Sequence, residues 1–421
     1  MHSSFHTENR RDLYARLDKG SIALVFSGDA PRQTNDQYYP FFADRNFLYL
    51  TGIPQNNSIL MGVVGDTASD ALFIPPPDLM AERWNGVRIK ADEAAEISGI
   101  TDIKYTKDGK SRGSMEFDNV FNRLISSGDY HTLYLPLVKF SDDEPDGPPY
   151  KMARYIKDRF PYIVIKDLTP HIKALRLIKK PCEIEAMRIA EDITKAGILA
   201  MMRAAKPGIT EYELKAEFDY AVMKRGVLMP AYLPIISAGR NNFLIHYNAY
   251  TGKANDGDLV LNDVGAVWDN IMTDVSRAWP VNGRFSERQK LLYQCAYNSC
   301  EYVFSIIKPG MPMKNVDGIL RKYTYELLKD IGLCKDWDDI GKYMWHGGAH
   351  HVGYDVHDTV GIKPDSPIAP GMVFCVDAGI YVEEWGIGFR LEDNCLVTKT
   401  GCENLSADIP RSIEDIEAVM G

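Results

Sequence analysis

The sequence lacks the features that mark several large classes of protein. Its seven cysteines are an odd number without a CxxC pair, so neither a disulfide framework nor a thiolate zinc site is indicated. No stretch of about 18 uncharged apolar residues occurs, and the N-terminus has no apolar segment typical of an export signal. We therefore expect a cytoplasmic protein without a membrane partner.

Charge of one sign is never concentrated in this chain. Lys and Arg number 48 against 58 Asp and Glu, a net charge of −10, and no run of five or six like charges occurs. This pattern argues against nucleic acid as a partner. The glycines also lack the spacing of a phosphate-binding loop, so nucleotide binding is disfavoured.

The length of the chain predicts two or three domains. A chain of 421 residues exceeds the roughly 250–300 residues at which single cores stop growing. Residues 1–170 alternate short strands and helices, with an amphipathic helix around Arg10–Leu17 at the start. Residues 171–421 contain helical patterns over 172–205, 211–224 and 287–307, with strand-rich stretches between and after them. The fold class is therefore α/β with α+β character.

Two aspartates lie in a strand pair within the second domain. The segment DLVLNDVGAVWDNIMTDVSRAWPV contains two β-patterned runs that meet at Asp269 and Asn270, residue types that favour tight turns. An even-numbered turn centred there predicts that Asp263 faces Ser276, with Asp274 two positions nearer the turn on the same face. The two carboxylates would be diagonal neighbours, roughly 7–8 Å apart at the backbone, and able to bind one ion.

A second strand pair repeats this construction. A loop centred near Trp385–Gly386 lies between the runs GMVFCVDAGIYV and FRLEDNCLVT. This position of the loop predicts the same diagonal relation for Asp377 and Glu392. A single acidic residue in a strand most often faces solvent. The runs around Asp263 and Asp377 are nevertheless apolar enough to be buried, where an unpaired carboxylate costs several kcal/mol. We therefore expect the four acids to converge on metal.

The histidines cluster in the same part of the chain. Five of the nine are His246, His346, His350, His351 and His357. HGGAH has histidines four residues apart, but its two glycines and its lack of the HExxH glutamate disfavour a helical zinc site. One imidazole with four carboxylates suits Mn²⁺, Co²⁺ or Zn²⁺ in a paired site, which can generate a hydroxide nucleophile. Hydrolysis is the predicted reaction class, and His351 is expected to be an ordinary, partly buried imidazole.

Six motifs in order resemble the pita-bread metallopeptidases, in the branch of aminopeptidase P and prolidase. They are IHYNAY, LVLNDVGA, TDVSRAWPVNGRFS, HGGAHHVGYDVHD, GMVFCVDAGIYV and GFRLEDNCLVT. The N-terminal stretch, with RRDLYARL, NFLYLTG and ERWNGVRIK, resembles the mixed-sheet N-domain of creatinase and aminopeptidase P. The resemblance therefore implies an N-terminal domain over 1–170 and a pita-bread catalytic domain over 171–421.

This resemblance also implies the metal site. The ligands to two divalent ions would be Asp263, Asp274, His350, Asp377 and Glu392, with Asp274 and Glu392 bridging both ions. Mn²⁺ is the expected metal, with Co²⁺ and Zn²⁺ as alternatives. Arg390, two residues from Glu392 on the same strand face, would hold carboxylate ligands in place.

Further residues match positions that act on substrate in the family. His246 and His357 would contact the substrate and stabilise the tetrahedral intermediate, and catalytic Asp377 stands where the family has the ligand closest to the nucleophilic water. His346 would line the proline-side pocket, and Tyr381 would also bind substrate. Trp84 resembles a tryptophan that reaches a neighbouring subunit's site to bind substrate there, which implies a homodimer or homotetramer. The implied activity is hydrolysis of the N-terminal Xaa-Pro bond of peptides.

One departure from the family pattern leaves alternatives open. The family has glutamate and then proline where this chain has Asp377 and Ala378. The aspartate reaches about 1.5 Å less far, and a displacement near 1 Å can cost about a hundredfold in rate. A binding or regulatory protein with weakened or absent metal catalysis is therefore one alternative, and a prolidase-like dipeptidase is another.

Overall fold

The computed structural model describes residues 1–106, 116–359 and 363–421. The chain divides into two compact units, Met1–Leu175 and Arg176–Gly421. The boundary expected after residue 170 falls inside a helix, Thr169–Arg176, and stays a prediction. No helix in the described ranges combines the length and apolarity needed to cross a membrane.

The first unit is built on a mixed six-stranded sheet. Its elements are α1 (Ser3–Tyr14), β1 (Ser21–Phe26), α2 (Arg45–Thr51), β2 (Ile59–Val64), β3 (Ala68–Ile74), α3 (Leu79–Asn85), α4 (Ala91–Ser98), β4 (Ile103–Tyr105), α5 (Glu116–Ser126), β5 (Thr132–Leu135), α6 (Pro148–Arg159), β6 (Val164–Asp167) and α7 (Thr169–Arg176). The strand order is β4-β3-β2-β1-β5-β6. The β1–β2–β3 pairs are antiparallel and the others parallel, which confirms the mixed sheet.

The opening helix differs from its prediction. It covers Ser3–Tyr14 rather than starting near Arg10, because the His2 side chain caps it by accepting from the Ser4 amide. Phe5 and Leu13 are buried on one face, while the Arg10 guanidinium is buried against Asp70 at 2.7 Å. The helix therefore extends further toward the N-terminus than its apolar spacing predicts, because that spacing does not reveal the histidine cap.

The second unit surrounds one long antiparallel sheet with helices. Its elements are α8 (Pro181–Ala204), α9 (Glu211–Met223), β7 (Ile235–Ala238), β8 (Leu259–Val264), β9 (Val267–Trp268), β10 (Ile271–Met272), β11 (Val275–Pro280), α10 (Glu287–Ile306), α11 (Lys314–Asp330), α12 (Ile340–Tyr343), β12 (Val373–Val382), β13 (Ile387–Val397), β14 (Cys402–Asn404) and α13 (Ile413–Met420). The sheet order is β12-β13-β11-β8-β7, with β14 also paired to β13. Helix α11 lies in a stretch that was expected to be rich in strands, and its buried residues recur at helical spacing from Val316 to Leu328.

The first acid-bearing strand pair has the predicted register. Trp268 pairs with Ile271 and Ser276 with Asp263, so the chain reverses at Asp269 and Asn270. Both turn residues have positive φ, 48° and 68°, as a two-residue type I′ turn requires. Asp274 therefore lies two residues from the position opposite Asp263, as expected.

The second pair has a different register from the one predicted. Val382 pairs with Ile387, so a four-residue loop containing the short helical turn Glu383–Trp385 reverses the chain. This loop is centred one residue earlier than expected. Asp377 and Glu392 are consequently directly opposite each other, and the predicted diagonal relation is wrong.

Candidate metal centre

Three carboxylates share a single row across four strands. Asp263 of β8 is opposite Ser276 of β11, Ser276 is opposite Glu392 of β13, and Glu392 is opposite Asp377 of β12. Asp274 enters from the residue before β11, on the same face as Ser276. The sheet therefore brings together all four acids that the sequence singles out.

Their ligand atoms form two triads that share Glu392. One triad is Asp263, Asp274 and Glu392, and the other is His350, Cys375 and Glu392. Within each triad, one oxygen, nitrogen or sulfur atom per residue lies within 4.8 Å of the others. A carboxylate common to two neighbouring triads is what a ligand bridging two ions requires.

His350 reaches this site from a loop, as expected for HGGAH. Its Nε2 lies 3.4 Å from Asp274 Oδ2 and 3.6 Å from Glu392 Oε1. The Cys375 amide donates to the His350 carbonyl at 2.9 Å, which fixes the loop to β12. Burial and the neighbouring His357 lower the pKa of His350 to about 4. The imidazole is therefore neutral near pH 7, with a lone pair available for a metal.

Glycines allow the loop to approach β12 closely. A Cβ at Gly348 would lie 2.3 Å from a Leu320 methyl and 3.0 Å from the Asp377 carbonyl oxygen. A Cβ at Gly379 would lie 2.2 Å from His346 Nε2. The two glycines therefore serve the packing of the histidine loop against the strand.

The carboxylates are gathered with little compensating positive charge. Burial, followed by the charge of Asp263, raises the pKa of Asp274 well above its usual value. Burial, followed by the charge of Asp274, does the same for Glu392. Bound cations would remove this penalty, since they supply the missing charge at short range. An oxygen-rich set with one imidazole and a shared carboxylate fits two divalent ions.

Several side chains hold the acids from outside the triads. The Tyr232 hydroxyl lies 2.6 Å from both Asp263 Oδ1 and Asp274 Oδ1, and Ser276 Oγ donates to Glu392 Oε2 at 2.9 Å. The guanidinium of Arg390 donates to Asp263 Oδ2 at 3.0 Å. Arg390 is therefore placed where the sequence expected a partner of the ligands.

Tyr232 and Ser276 were not singled out from the sequence. The sequence places Ser276 only opposite Asp263. Its hydrogen bond to Glu392 depends on the pairing of β11 with β13. Tyr232 stands in the loop before β7, with no motif around it. No local signal identifies such a residue, because the aspartates it contacts lie 31 and 42 residues further along the chain.

Asp377 has a different environment from the other predicted ligands. It belongs to neither triad found among the described residues, and its Oδ2 lies 3.1 Å from His346 Nδ1. Its Oδ1 is buried and, in the part of the chain described, has no hydrogen-bond partner. Burial opposes protonation of His346, but Asp377 outweighs it and raises the pKa of this imidazole. Asp377 thus adjoins the centre with one oxygen engaged and one available.

A chain of hydrogen bonds leads from His346 through Tyr381 to Arg390. His346 Nε2 lies 3.0 Å from the Tyr381 hydroxyl, which accepts from Arg390 Nη1 at 3.0 Å. Trp345 stacks on the Tyr381 ring with centroids 4.5 Å apart. Two residues predicted to bind substrate, His346 and Tyr381, therefore lie together, between Asp377 and Arg390.

Three of the remaining predicted residues, His246, His357 and Trp84, are exposed. His357 lies with its ring centroid 4.2 Å from that of His350, and His246 follows Ile245, whose carbonyl accepts from Arg390 at 3.3 Å. His351 is buried. Trp84 is 85% exposed on α3 of the first unit.

A buried ion cluster anchors the segment that carries His357. The neighbouring carboxylate of Asp358 is fully buried and pairs with Arg176 at 2.6 Å and Lys179 at 3.0 Å. The Asp358 amide also donates to the His351 carbonyl at 2.7 Å. The histidine loop is therefore held at both ends. Asp358 fixes one end through this cluster, and His350 fixes the other through its hydrogen bond to β12.

Comparison with known proteins agrees with this architecture. Residues 185–399 match the model of metallopeptidase family M24, and residues 6–133 match that of the aminopeptidase P N-terminal domain. The chain is 30% identical to the Xaa-Pro aminopeptidases of Haemophilus influenzae and Escherichia coli, covering 98% of this chain and 96% of each relative. Human Xaa-Pro aminopeptidase 3 is 30% identical, over 97% of this chain and 83% of its own length.

Solved structures show the same relationship. The Pseudomonas aeruginosa aminopeptidase superposes with a TM-score of 0.89 at 28% identity, covering all of this chain and 98% of that one. Zinc-substituted Escherichia coli aminopeptidase P in complex with product gives a TM-score of 0.88 at 28% identity, with the same coverage. Both predicted domains are thereby confirmed in kind, and the chain belongs to metallopeptidase family M24, in its aminopeptidase P branch.

Proposed function

We propose that this chain is a metal-dependent aminopeptidase that hydrolyses the bond between the first residue of a peptide and a proline in second place. The observation that carries the proposal is the convergence of His350 Nε2 with Asp263, Asp274 and Glu392 in triads sharing one carboxylate. Relatives matched over nearly the whole chain are named Xaa-Pro aminopeptidases.

Asp263, Asp274, His350, Asp377 and Glu392 would hold two divalent ions, for which we propose Mn²⁺ first and Co²⁺ or Zn²⁺ as alternatives. When bound, such ions lower the pKa of water toward neutrality and polarise the scissile carbonyl. Arg390 and Tyr232 keep the Asp263 and Asp274 carboxylates oriented.

Asp377 is proposed to take up the proton released from water. Its unpartnered Oδ1 can accept a proton, while His346 keeps the carboxylate in place through Oδ2. The exposed imidazoles of His246 and His357 would donate hydrogen bonds to the oxygen that becomes negative in the tetrahedral intermediate.

The substrate assignment predicts a strong preference for proline in second place. We expect kcat/KM for Xaa-Pro-Yaa to exceed that for Xaa-Ala-Yaa by at least about 10–200-fold, since lost apolar contacts alone account for that factor. His346→Ala should reduce this ratio without changing metal content, because His346 is not itself a proposed ligand and belongs to neither triad.

Paired tripeptides and the matching Xaa-Pro dipeptides, assayed with reconstituted metal, measure these ratios. His131→Ala in the first unit serves as the control and should leave them unchanged. Equal rates for the proline and alanine tripeptides would reject the proposal. Turnover of dipeptides alone would favour the prolidase-like alternative.

Asp377→Glu tests whether the shorter side chain limits the enzyme. A glutamate reaches about 1.5 Å further and should raise turnover or tighten metal binding if the aspartate is an uncompensated handicap. Lower activity would mean that the His346 contact has adapted the site to aspartate. Metal content and kcat are the measurements, and two ions bound without activity in either form would favour the binding-protein alternative.

The oligomeric state and the cellular location are proposed from exposed and free side chains. The 85% exposure of Trp84, a large aromatic side chain, supports a homodimer or homotetramer. The seven free cysteines support a cytoplasmic location, where thiols stay reduced.

A further inference from the structure

The two triads at the metal centre differ in the chemistry of their donor atoms. Asp263, Asp274 and Glu392 offer only carboxylate oxygen, whereas His350, Cys375 and Glu392 offer nitrogen, sulfur and oxygen. Oxygen ligands suit Mn²⁺, while sulfur and imidazole ligands favour Zn²⁺ and other softer ions. The two ion positions are therefore chemically inequivalent in this chain.

Cys375 is built into the wall of the site. It lies in β12, two residues before Asp377 and on the same strand face, and it is fully buried. The His350 amide donates to its sulfur at 3.3 Å, and its own amide donates to the His350 carbonyl at 2.9 Å. The sulfur and the imidazole are thus held beside each other by the backbone.

Burial alone does not single out this cysteine. Cys300 is equally buried, but its sulfur contacts the Leu391 carbonyl at 3.7 Å and belongs to neither triad. Cys375 is distinguished by the His350 and Glu392 ligand atoms around its sulfur. The same comparison makes Cys300 a matched control.

We propose that Cys375 is a ligand at the His350–Cys375–Glu392 position, and that the centre prefers a mixed pair of ions. Zn²⁺ or Co²⁺ would occupy this position, and Mn²⁺ the Asp263–Asp274–Glu392 position. On binding, a sulfur–metal bond replaces the S–H bond, and the proton passes to the solvent buffer. The inference rests on the proposed metal-dependent function and refines its choice of metal.

The test uses the full-length protein, stripped of metal and then loaded with defined ions. Loading with Co²⁺ should produce a near-ultraviolet thiolate-to-cobalt charge-transfer band in the wild type and in Cys300→Ser, but not in Cys375→Ser. In Zn²⁺/Mn²⁺ competition followed by elemental analysis, Cys375→Ser should lower the preference for Zn²⁺ at one position about tenfold or more.

Other results would overturn the inference. A wild-type Co²⁺ protein without the band excludes a sulfur ligand, and this result does not depend on the folding of any variant. Equal losses of Zn²⁺ and Mn²⁺ affinity in Cys375→Ser would show that the thiol is not a ligand and only supports Glu392 by hydrogen bonding.

These measurements are independent of peptide hydrolysis. Xaa-Pro turnover without the cobalt band would reject only the sulfur ligand. The band without Xaa-Pro turnover would reject only the proposed substrate.

Discussion

Replacing Asp274 or Glu392 with alanine should remove both metal ions and abolish peptide hydrolysis. Glu392 belongs to both triads, and Asp274 lies against Glu392 in one triad and 3.4 Å from His350 of the other. Loss of either carboxylate therefore weakens both ion positions at once. The two changes should have nearly the same effect on activity, since the residues act as one unit.

The fold should persist in both variants, because alanine removes a buried carboxylate that destabilises the metal-free chain. Elemental analysis gives the metal stoichiometry, and circular dichroism checks the fold. Asp256→Ala, before β8, and Glu384→Ala, in the loop between β12 and β13, are controls, because both residues are exposed acids near the affected strands. Two ions retained per chain in either site variant would contradict the bridging assignment.

Arg277→Ala should destabilise the second unit by about 3–5 kcal/mol. The Arg277 guanidinium is fully buried and pairs with the equally buried Asp393 at 2.6 Å. It also donates to the Ser276 and Glu392 carbonyls at 2.9 and 2.8 Å, which joins β11 to β13 beside the metal row. Alanine would leave Asp393 buried with only Arg411, 2.8 Å away, as a cationic partner.

Denaturant unfolding of the metal-free protein measures this loss without a contribution from bound ions. Arg284→Ala is the matched control: this arginine is 70% exposed and pairs with Glu417 at 3.2 Å, so its loss should cost less than about 1 kcal/mol. The double change Arg277→Met with Asp393→Leu should recover part of the stability, because it leaves no unpaired charge. A loss below about 1 kcal/mol for Arg277→Ala would show that Arg411 compensates fully.

The register of the two acid-bearing strand pairs shows how far local signals extend. Asp269 and Asn270 are residues that tolerate positive φ, so the first turn and the opposition of Asp263 to Ser276 were predictable. The second loop contains a helical turn that hydrophobic alternation does not reveal. A shift of the loop centre by one residue then changed the partner of Asp377.

Contacts around the centre were less predictable than the ligands themselves. Nothing in the sequence indicates that Asp377 pairs with His346 or that Tyr232 lies between two aspartates. Cys375 was known only as one of seven cysteines without a paired motif. Each of these contacts joins segments that are far apart in the chain, so the hydrophobic periodicity of the sequence does not predict it.

The sequence by itself determined the residue types that can bind metal, the family resemblance and the first strand pairing, because turn residues and strand alternation act over a few neighbouring positions. Only the tertiary structure decided that β11 lies between β8 and β13, and so that one row carries Asp263, Ser276, Glu392 and Asp377. The physical reason is that pairing between the two hairpins depends on burying their shared apolar face against the helices. That burial is a property of the assembled core, and no single segment specifies it.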